Sequence, residues 1–150
     1  MRPFRVTVAT VVADQGRFLM VEERDKQSLQ MVYNQPAGHL ETGETIIEGA
    51  IRETLEETGF VVTPTGVLSV GLYRPKDRED TYCRITLSAE VSGHEANAEL
   101  DPDIHRVWWM SREQIEAESA RLRSPMVLDS IERYQSGQIY PLSLLAHYES

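Results

Sequence analysis

The feature that most constrains this chain is a change of period at Thr45. Before it, apolar residues alternate or run in short blocks. From Thr45 onward Ile47, Ala50, Ile51, Thr54, Leu55 and Thr58 recur at helical spacing. Thr45 and Glu48 stand at the separation of a capping box, and Gly59 is placed to end the helix in a left-handed conformation. The pattern predicts a helix over Ile46–Thr58 whose apolar stripe packs on a sheet. The other side carries Glu53, Glu56 and Glu57, with Arg52 the one basic residue of the segment Gly38–Phe60. Around the axis Glu53 lies about 40° from Glu57 and about 60° from Glu56, so the three acids share a face expected to point outward.

Like charges at this spacing repel, and Glu56 and Glu57 also sit where the helix dipole disfavours negative charge. A hard divalent cation that takes carboxylate oxygens and phosphates offsets both costs. A solvated acidic face is the other reading of the same spacing.

The rest of the chain supplies strands. Phe4–Val12 and Arg17–Glu23 read as two arms of a hairpin around Asp14-Gln15-Gly16, and Glu23–Ser28 as a solvated loop. Leu29–Asn34 is expected to be a short strand ended by Pro36. Val61–Tyr73 is β-rich but broken by Pro64 and Gly66, Tyr82–Val91 alternates, and His105–Met110 is short. Ser111 and Gln114 have capping-box spacing. Ser124-Pro125 reads as an N-cap with proline at the first helical position, opening a helix to about Ser136 that Gly137 stops. Trp108 and Trp109 face opposite ways if they lie on a strand. The apolar stretch from Ile139 to Leu145 either folds back over the chain or meets another subunit. The 150 residues, with no repeat or linker, read as one mixed α/β domain.

Twenty-four acids against fifteen Lys and Arg give a formal charge of −9, which disfavours a nucleic-acid polymer as partner. A small phosphorylated ligand remains compatible, because a bound cation reverses the local field. The single cysteine, Cys83, excludes an intrachain disulfide framework and fits a reducing, cytoplasmic setting; it is read as strand packing. No apolar run is long enough for a membrane span, and Met1-Arg2-Pro3-Phe4 lacks the pattern of a signal peptide.

Gly38, five residues, Glu44, seven residues, then Arg52-Glu53-Thr54-Leu55-Glu56-Glu57-Thr58-Gly59-Phe60 resembles the Nudix box. Thr54 stands where that family prefers an aliphatic residue. Asn34-Gln35-Pro36-Ala37-Gly38-His39-Leu40-Glu41, Leu122-Arg123-Ser124-Pro125, Tyr134-Gln135-Ser136-Gly137-Gln138 and Tyr140-Pro141-Leu142 extend the likeness to a bacterial phosphatase subgroup of the family. The resemblance implies an α/β/α sandwich with a mixed β-sheet. It implies hydrolysis of terminal phosphate from nucleoside tri- and diphosphates, and from hydroxymethylpyrimidine pyrophosphate or thiamine pyrophosphate. Pyrophosphate release from triphosphates, or cleavage of ADP-ribose-like substrates, is the alternative. A catalytically silent binding module is a further one, disfavoured because the box glutamates are all present.

Carried onto this chain, the resemblance makes Glu53, Glu56 and Glu57 the ligands of Mg²⁺ (Mn²⁺ as the alternative), with the Gly38 carbonyl as an extra ligand. Arg52 orients a ligand carboxylate and Glu44 braces the loop and a ligand. The general base is one of the box acids or an acid of the Glu95–Asp103 loop, with Asp103 preferred over Asp101. Substrate contacts are expected from Arg84, Arg74 or Arg78, from Tyr33, Asn34 and Gln35, and from Tyr73. His39 is read as steadying its loop. The chain is expected to act as a monomer or homodimer.

Overall fold

A computed structural model describes residues 3–150; Met1 and Arg2, read above as leading into the first strand, lie outside the described residues. Strand β1 (Phe4–Asp14) turns into β2 (Arg17–Arg24) through Gln15 and Gly16. Both turn residues have positive φ, 50° and 76°, the type I′ arrangement that matches strand twist. Short strands β3 (Met31–Asn34) and β4 (Ala37–His39) precede helix α1 (Ile46–Thr58). Then follow β5 (Phe60–Tyr73), β6 (Thr81–His94), β7 (Ile104–Ser111), α2 (Arg112–Ala117) and α3 (Met126–Gln135), with 3₁₀ turns at Ser119–Arg121 and Leu142–Leu144.

The seven strands form a mixed sheet in the order β3-β2-β1-β6-β5, with β4 also on β1 and β7 also on β2. β1 runs parallel to β6 from Phe4/Thr81 to Val12/Ala89, and antiparallel to β4. Helices cover both faces, the α/β/α arrangement expected. Val8 packs in the cluster that includes Ala50 of α1, with Val67, Ile85 and Leu87. Val11, from the opposite face of β1, packs with Ile115 of α2 and with Val127 and Ile131 of α3. This alternation puts β1 at the centre of the molecule.

Helix α1 has the expected bounds and both expected caps. Thr45 Oγ1 accepts from Glu48 N at 3.1 Å, Thr45 N donates to Glu48 Oε1 at 2.8 Å, and Gly59 adopts φ 78°. Ser111 and Gln114 form the same reciprocal box at α2. Regular hydrogen bonding in α3 starts one residue later than expected, with Pro125 at the N-cap, although Ser124 Oγ still accepts from Met126 N at 3.2 Å.

Three expectations are corrected. β5 is continuous through Pro64 and Gly66, because a register shift between them absorbs the irregularity on an edge strand. β2 runs to Arg24, one residue past its expected end, so Glu23, expected both to end the strand and to open the solvated loop, lies inside the strand. The acids of α1 do not all point outward, since Glu57 is only 6% exposed.

Trp108 packs against the α2–α3 cluster and Trp109 against the cluster of Val12, Leu19, Val62 and Ala89, as alternation requires. Cys83 is half-buried in packing. The C-terminal stretch folds back. Val67 and Tyr140 exchange main-chain hydrogen bonds at 2.8 and 2.9 Å, and Leu142 and Leu145 pack beside the α1 cluster. Gly66 permits this approach, because a β-carbon there would lie 2.3 Å from Ile139 Cγ2.

Candidate active site

Arg52 of α1 ties the loop between β4 and α1 to the helix. Arg52 donates from Nε and Nη2 to the two oxygens of Glu44 at 2.9 and 2.7 Å, a bidentate pair, and from Nη2 to the His39 carbonyl at 3.0 Å. Its Nη1 reaches Glu53 Oε1 at 2.8 Å and Glu56 Oε2 at 3.1 Å. Glu44 Oε1 also accepts from Glu41 N at 2.8 Å. Hydrogen bonding to Arg52 holds the Glu44 carboxyl below its usual range, and the same contacts raise Arg52. Arg52 therefore offsets the repulsion between Glu53 and Glu56 and ties the helix to its entering loop.

Glu57 lies deeper. Its Oε1 accepts from Ala37 N at 2.9 Å, which joins α1 to β4. Burial pushes its carboxyl well above the usual range, and the nearby Glu23 charge adds to the rise. Burial also raises Glu53, opposed by Arg52, and raises Glu23, opposed by Arg123 at 3.1 Å. Gly38 sets the position of Glu53. A β-carbon on residue 38 would fall 2.1 Å from Glu53 Cδ, so the carboxylate rests against bare backbone.

Glu23, Gly38, Glu53 and Glu57 border a cleft of about 450 Å³, while Glu44, Arg52 and Glu56 lie outside its lining. Its lining mixes acids, Glu23, Asp25, Glu41, Glu53, Glu57, Asp101 and Asp103, with the cations Arg24, Lys26, Arg78, Arg84 and Arg123. Tyr73 and Tyr82 line it too, with ring centroids 6.5 Å apart and Arg78 stacked 5.4 Å above the Tyr82 ring. His39 is on the border, its side chain exposed and its imidazole lowered by partial burial.

The substrate residues expected from sequence separate. Asn34 and Arg84 line the cleft together, with Arg84 Nη1 donating to Asn34 Oδ1 at 3.4 Å. Tyr73 lines it as well. Tyr33 does not. It is a core residue, 2% exposed, under Arg121 at 4.8 Å with its hydroxyl accepting from Arg106 at 3.1 Å. Gln35 is buried behind the wall, receiving Arg84 Nη2 at 2.7 Å and donating to Val127 O at 2.8 Å. Arg74 is exposed and outside the lining; Arg78 takes the place on that loop.

Both distal acids reach the cleft. Asp103 pairs with Lys26 at 3.3 Å. Asp101 is anchored by its N–H to Glu56 O at 3.0 Å, and its charge adds to the upward shifts of Glu23, Glu53 and Glu57.

Sequence reasoning missed Glu23 and Arg123. Glu23 follows a fully buried run, Phe18–Glu22, in which alternation gives no clue to facing. Arg123 is placed by the 3₁₀ turn before it. Arg121 clamps Glu22 at 2.6 Å, and Arg123 N donates to Tyr33 O at 2.8 Å.

Among the described residues, no three acids, histidines or cysteines already converge at ligating distance on one point. The donor set nonetheless fits a divalent cation. Hard carboxylate oxygens crowd one wall, their mutual repulsion is opposed at Glu53 and Glu56 by a single guanidinium, and Gly38 leaves room for Glu53 to lie against its backbone.

A NUDIX-domain family profile matches residues 1–130. The chain is 39% identical over 143 residues to the phosphatase NudJ of Escherichia coli strain K12, covering 95% of this chain and 91% of that protein. A solved NUDIX hydrolase from Nitrosomonas europaea superposes with a TM-score of 0.92 at 39% identity, covering 97% of each chain. A MutT protein from Methanosarcina mazei shares the fold at TM-score 0.69 and 18% identity, covering 91% of this chain and 97% of its own. The carboxylate-bearing helix, its arginine clamp and these likenesses agree, and the chain belongs to the Nudix family of phosphoanhydride hydrolases.

Proposed function

We propose that this protein removes the terminal phosphate from small diphosphate- and triphosphate-bearing substrates in a Mg²⁺-dependent reaction, with Mn²⁺ as the alternative ion. Nucleoside di- and triphosphates, hydroxymethylpyrimidine pyrophosphate and thiamine pyrophosphate are the substrate candidates, by likeness to the phosphatase NudJ. The observation that carries the reading is the two-signed cleft. Carboxylates of α1 and β2 and arginines of β6 and of the segment before α3 line one space of about 450 Å³, enough for a small phosphorylated molecule. The single cysteine supports a cytoplasmic setting.

Glu53, Glu56 and Glu57 would hold the cation, with the Gly38 carbonyl beside them. A cation held there would supply charge to neutralise phosphate oxygens and to acidify a water. Arg52 keeps Glu53 and Glu56 in register, and Glu44 keeps Arg52 in place. Water oxygen bonds to the terminal phosphorus as the bridging P–O bond breaks. The bridging oxygen leaves on the inner phosphate, and the water proton passes to a carboxylate. Asp101 suits that base better than Asp103, since its charge bears on the box acids while Asp103 is paired with Lys26.

The test is hydrolysis of these substrates and ADP-ribose with Mg²⁺, counting inorganic phosphate and pyrophosphate separately. Stepwise phosphate release, abolished by EDTA, is expected. Pyrophosphate release, or preference for ADP-ribose, would reject the reading.

A further inference from the structure

Arg84 is a buried cation without a charged partner. It lies on β6 opposite Thr7 of β1 and is 3% exposed. Its two side-chain hydrogen bonds go to neutral amide oxygens, Gln35 Oε1 at 2.7 Å and Asn34 Oδ1 at 3.4 Å. Among the described residues it makes no ion pair, and its Nε is the one buried side-chain polar atom without a hydrogen-bond partner. Burial lowers its guanidinium to about 10, with the Glu23 charge opposing the shift. A cation so placed costs folding free energy unless an anion completes it.

Its holders are fixed as well. Gln35 Nε2 is committed to Val127 O at 2.8 Å, which turns the amide oxygen toward Arg84. Asn34 and Arg84 both line the cleft that Glu53 and Glu57 also line. The guanidinium is thus held by neutral groups that leave its charge unneutralised, in the lining of a cleft it shares with Tyr73 and Tyr82. A recessed guanidinium is within reach of the end of a phosphate chain. A phosphate esterified on both sides would have to bring its second substituent into the buried wall.

We infer that Arg84, held by Asn34 and Gln35, takes the free terminal phosphate of the substrate and selects diphosphates with an uncapped end over those esterified at both phosphates. This rests on the phosphoanhydride reading above and gives it a specificity residue.

The experiment has two arms on the full chain, with Arg84→Met and Arg84→Lys. In the first, the protein is kept metal-free with EDTA and its melting temperature is followed against inorganic phosphate. Phosphate should stabilise the wild type. Arg84→Met should melt no lower than wild type without phosphate, and should need at least about tenfold more phosphate for the same shift. Arg84→Lys, which keeps the charge and loses the planar fork, should fall between. In the second, kcat/KM with Mg²⁺ is compared for a nucleoside diphosphate and for ADP-ribose. The uncapped substrate should lose at least about tenfold in Arg84→Met and the capped one less than about threefold.

An unchanged phosphate response, or equal losses on both substrates, would overturn the assignment. If Arg84→Met fails to fold, Arg84→Lys and Asn34→Ala carry the same comparison, and an unaltered phosphate response in both would overturn it. The arms also separate this inference from the reaction. An Arg84-dependent phosphate response without turnover of either substrate rejects the proposed terminal-phosphate reaction and keeps the subsite. Turnover with equal losses does the reverse.

Discussion

The carboxylate of Glu53 occupies the space that a side chain on residue 38 would need: a β-carbon on Gly38 would fall 2.1 Å from Glu53 Cδ and 2.1 Å from its Oε2. The backbone of β4 thereby sets where a cation-binding oxygen of α1 stands. What must yield in Gly38→Ala is the far end of a flexible side chain, so folding is little affected. We expect a melting temperature within a few degrees of wild type, with Mg²⁺ affinity or kcat/KM reduced about 10- to 100-fold. Activity at wild-type level with the fold retained would show that Glu53 need not lie against Gly38.

A second pairing explains the threonine within the box. Thr54 Oγ1 donates to Ala50 O at 2.8 Å, and its single proton is then committed. The 2.8 Å contact between Thr10 and Thr54 must therefore be a donation from Thr10. Both residues are fully buried, joining β1 to α1. Thr54→Val orphans the Thr10 hydroxyl and should cost about 1–3 kcal/mol in urea unfolding. The double variant Thr10→Val/Thr54→Val should recover most of that loss. Additive losses would contradict the pairing.

Glu57 gives a pH signature in metal-free protein. Burial, then the Glu23 charge, raises its folded carboxyl well above the ordinary carboxylate range. A raised acid contributes stability that is fully present below the unfolded value and lost as pH climbs through the folded one. Glu57→Gln should melt higher than wild type at neutral pH, and this advantage should vanish toward pH 4. With Mg²⁺ the order should reverse, and turnover should fall at least about tenfold. A lower metal-free melting temperature at neutral pH would count against an uncompensated buried carboxylate.

The two distal acids should separate in rate. Asp101 bears on Glu53 and Glu57, whereas Asp103 is paired with Lys26 at 3.3 Å. Asp101→Asn should lower the metal-saturated kcat by about 100-fold, the scale of a general base, and Asp103→Asn by less than about threefold. The reverse ranking would return the role to Asp103.

Local chemistry made part of this molecule legible in advance. The caps at Thr45, Glu48 and Gly59 and the box at Ser111 and Gln114 are short-range signals, and those elements stand where the spacing puts them. The acids of α1 were legible as a group, but Glu57 turned out to be buried because β4 crosses beside it, a long-range fact. Tyr33 and Gln35 were misread for a similar reason. They flank Asn34 in the chain, yet tertiary contacts put Tyr33 in the α2–α3 core and Gln35 against Val127. Glu23 and Arg123 are 100 residues apart, and nothing within either segment announces their 3.1 Å contact.

The central claim is water attack on the terminal phosphorus in this cleft. It is tested most directly by one turnover of a nucleoside diphosphate with Mg²⁺ in ¹⁸O-labelled water, with the label located by mass spectrometry. The account predicts one labelled oxygen in the inorganic phosphate and none in the nucleoside monophosphate. Label in the monophosphate would contradict it, because the attacked phosphorus would then be the inner one.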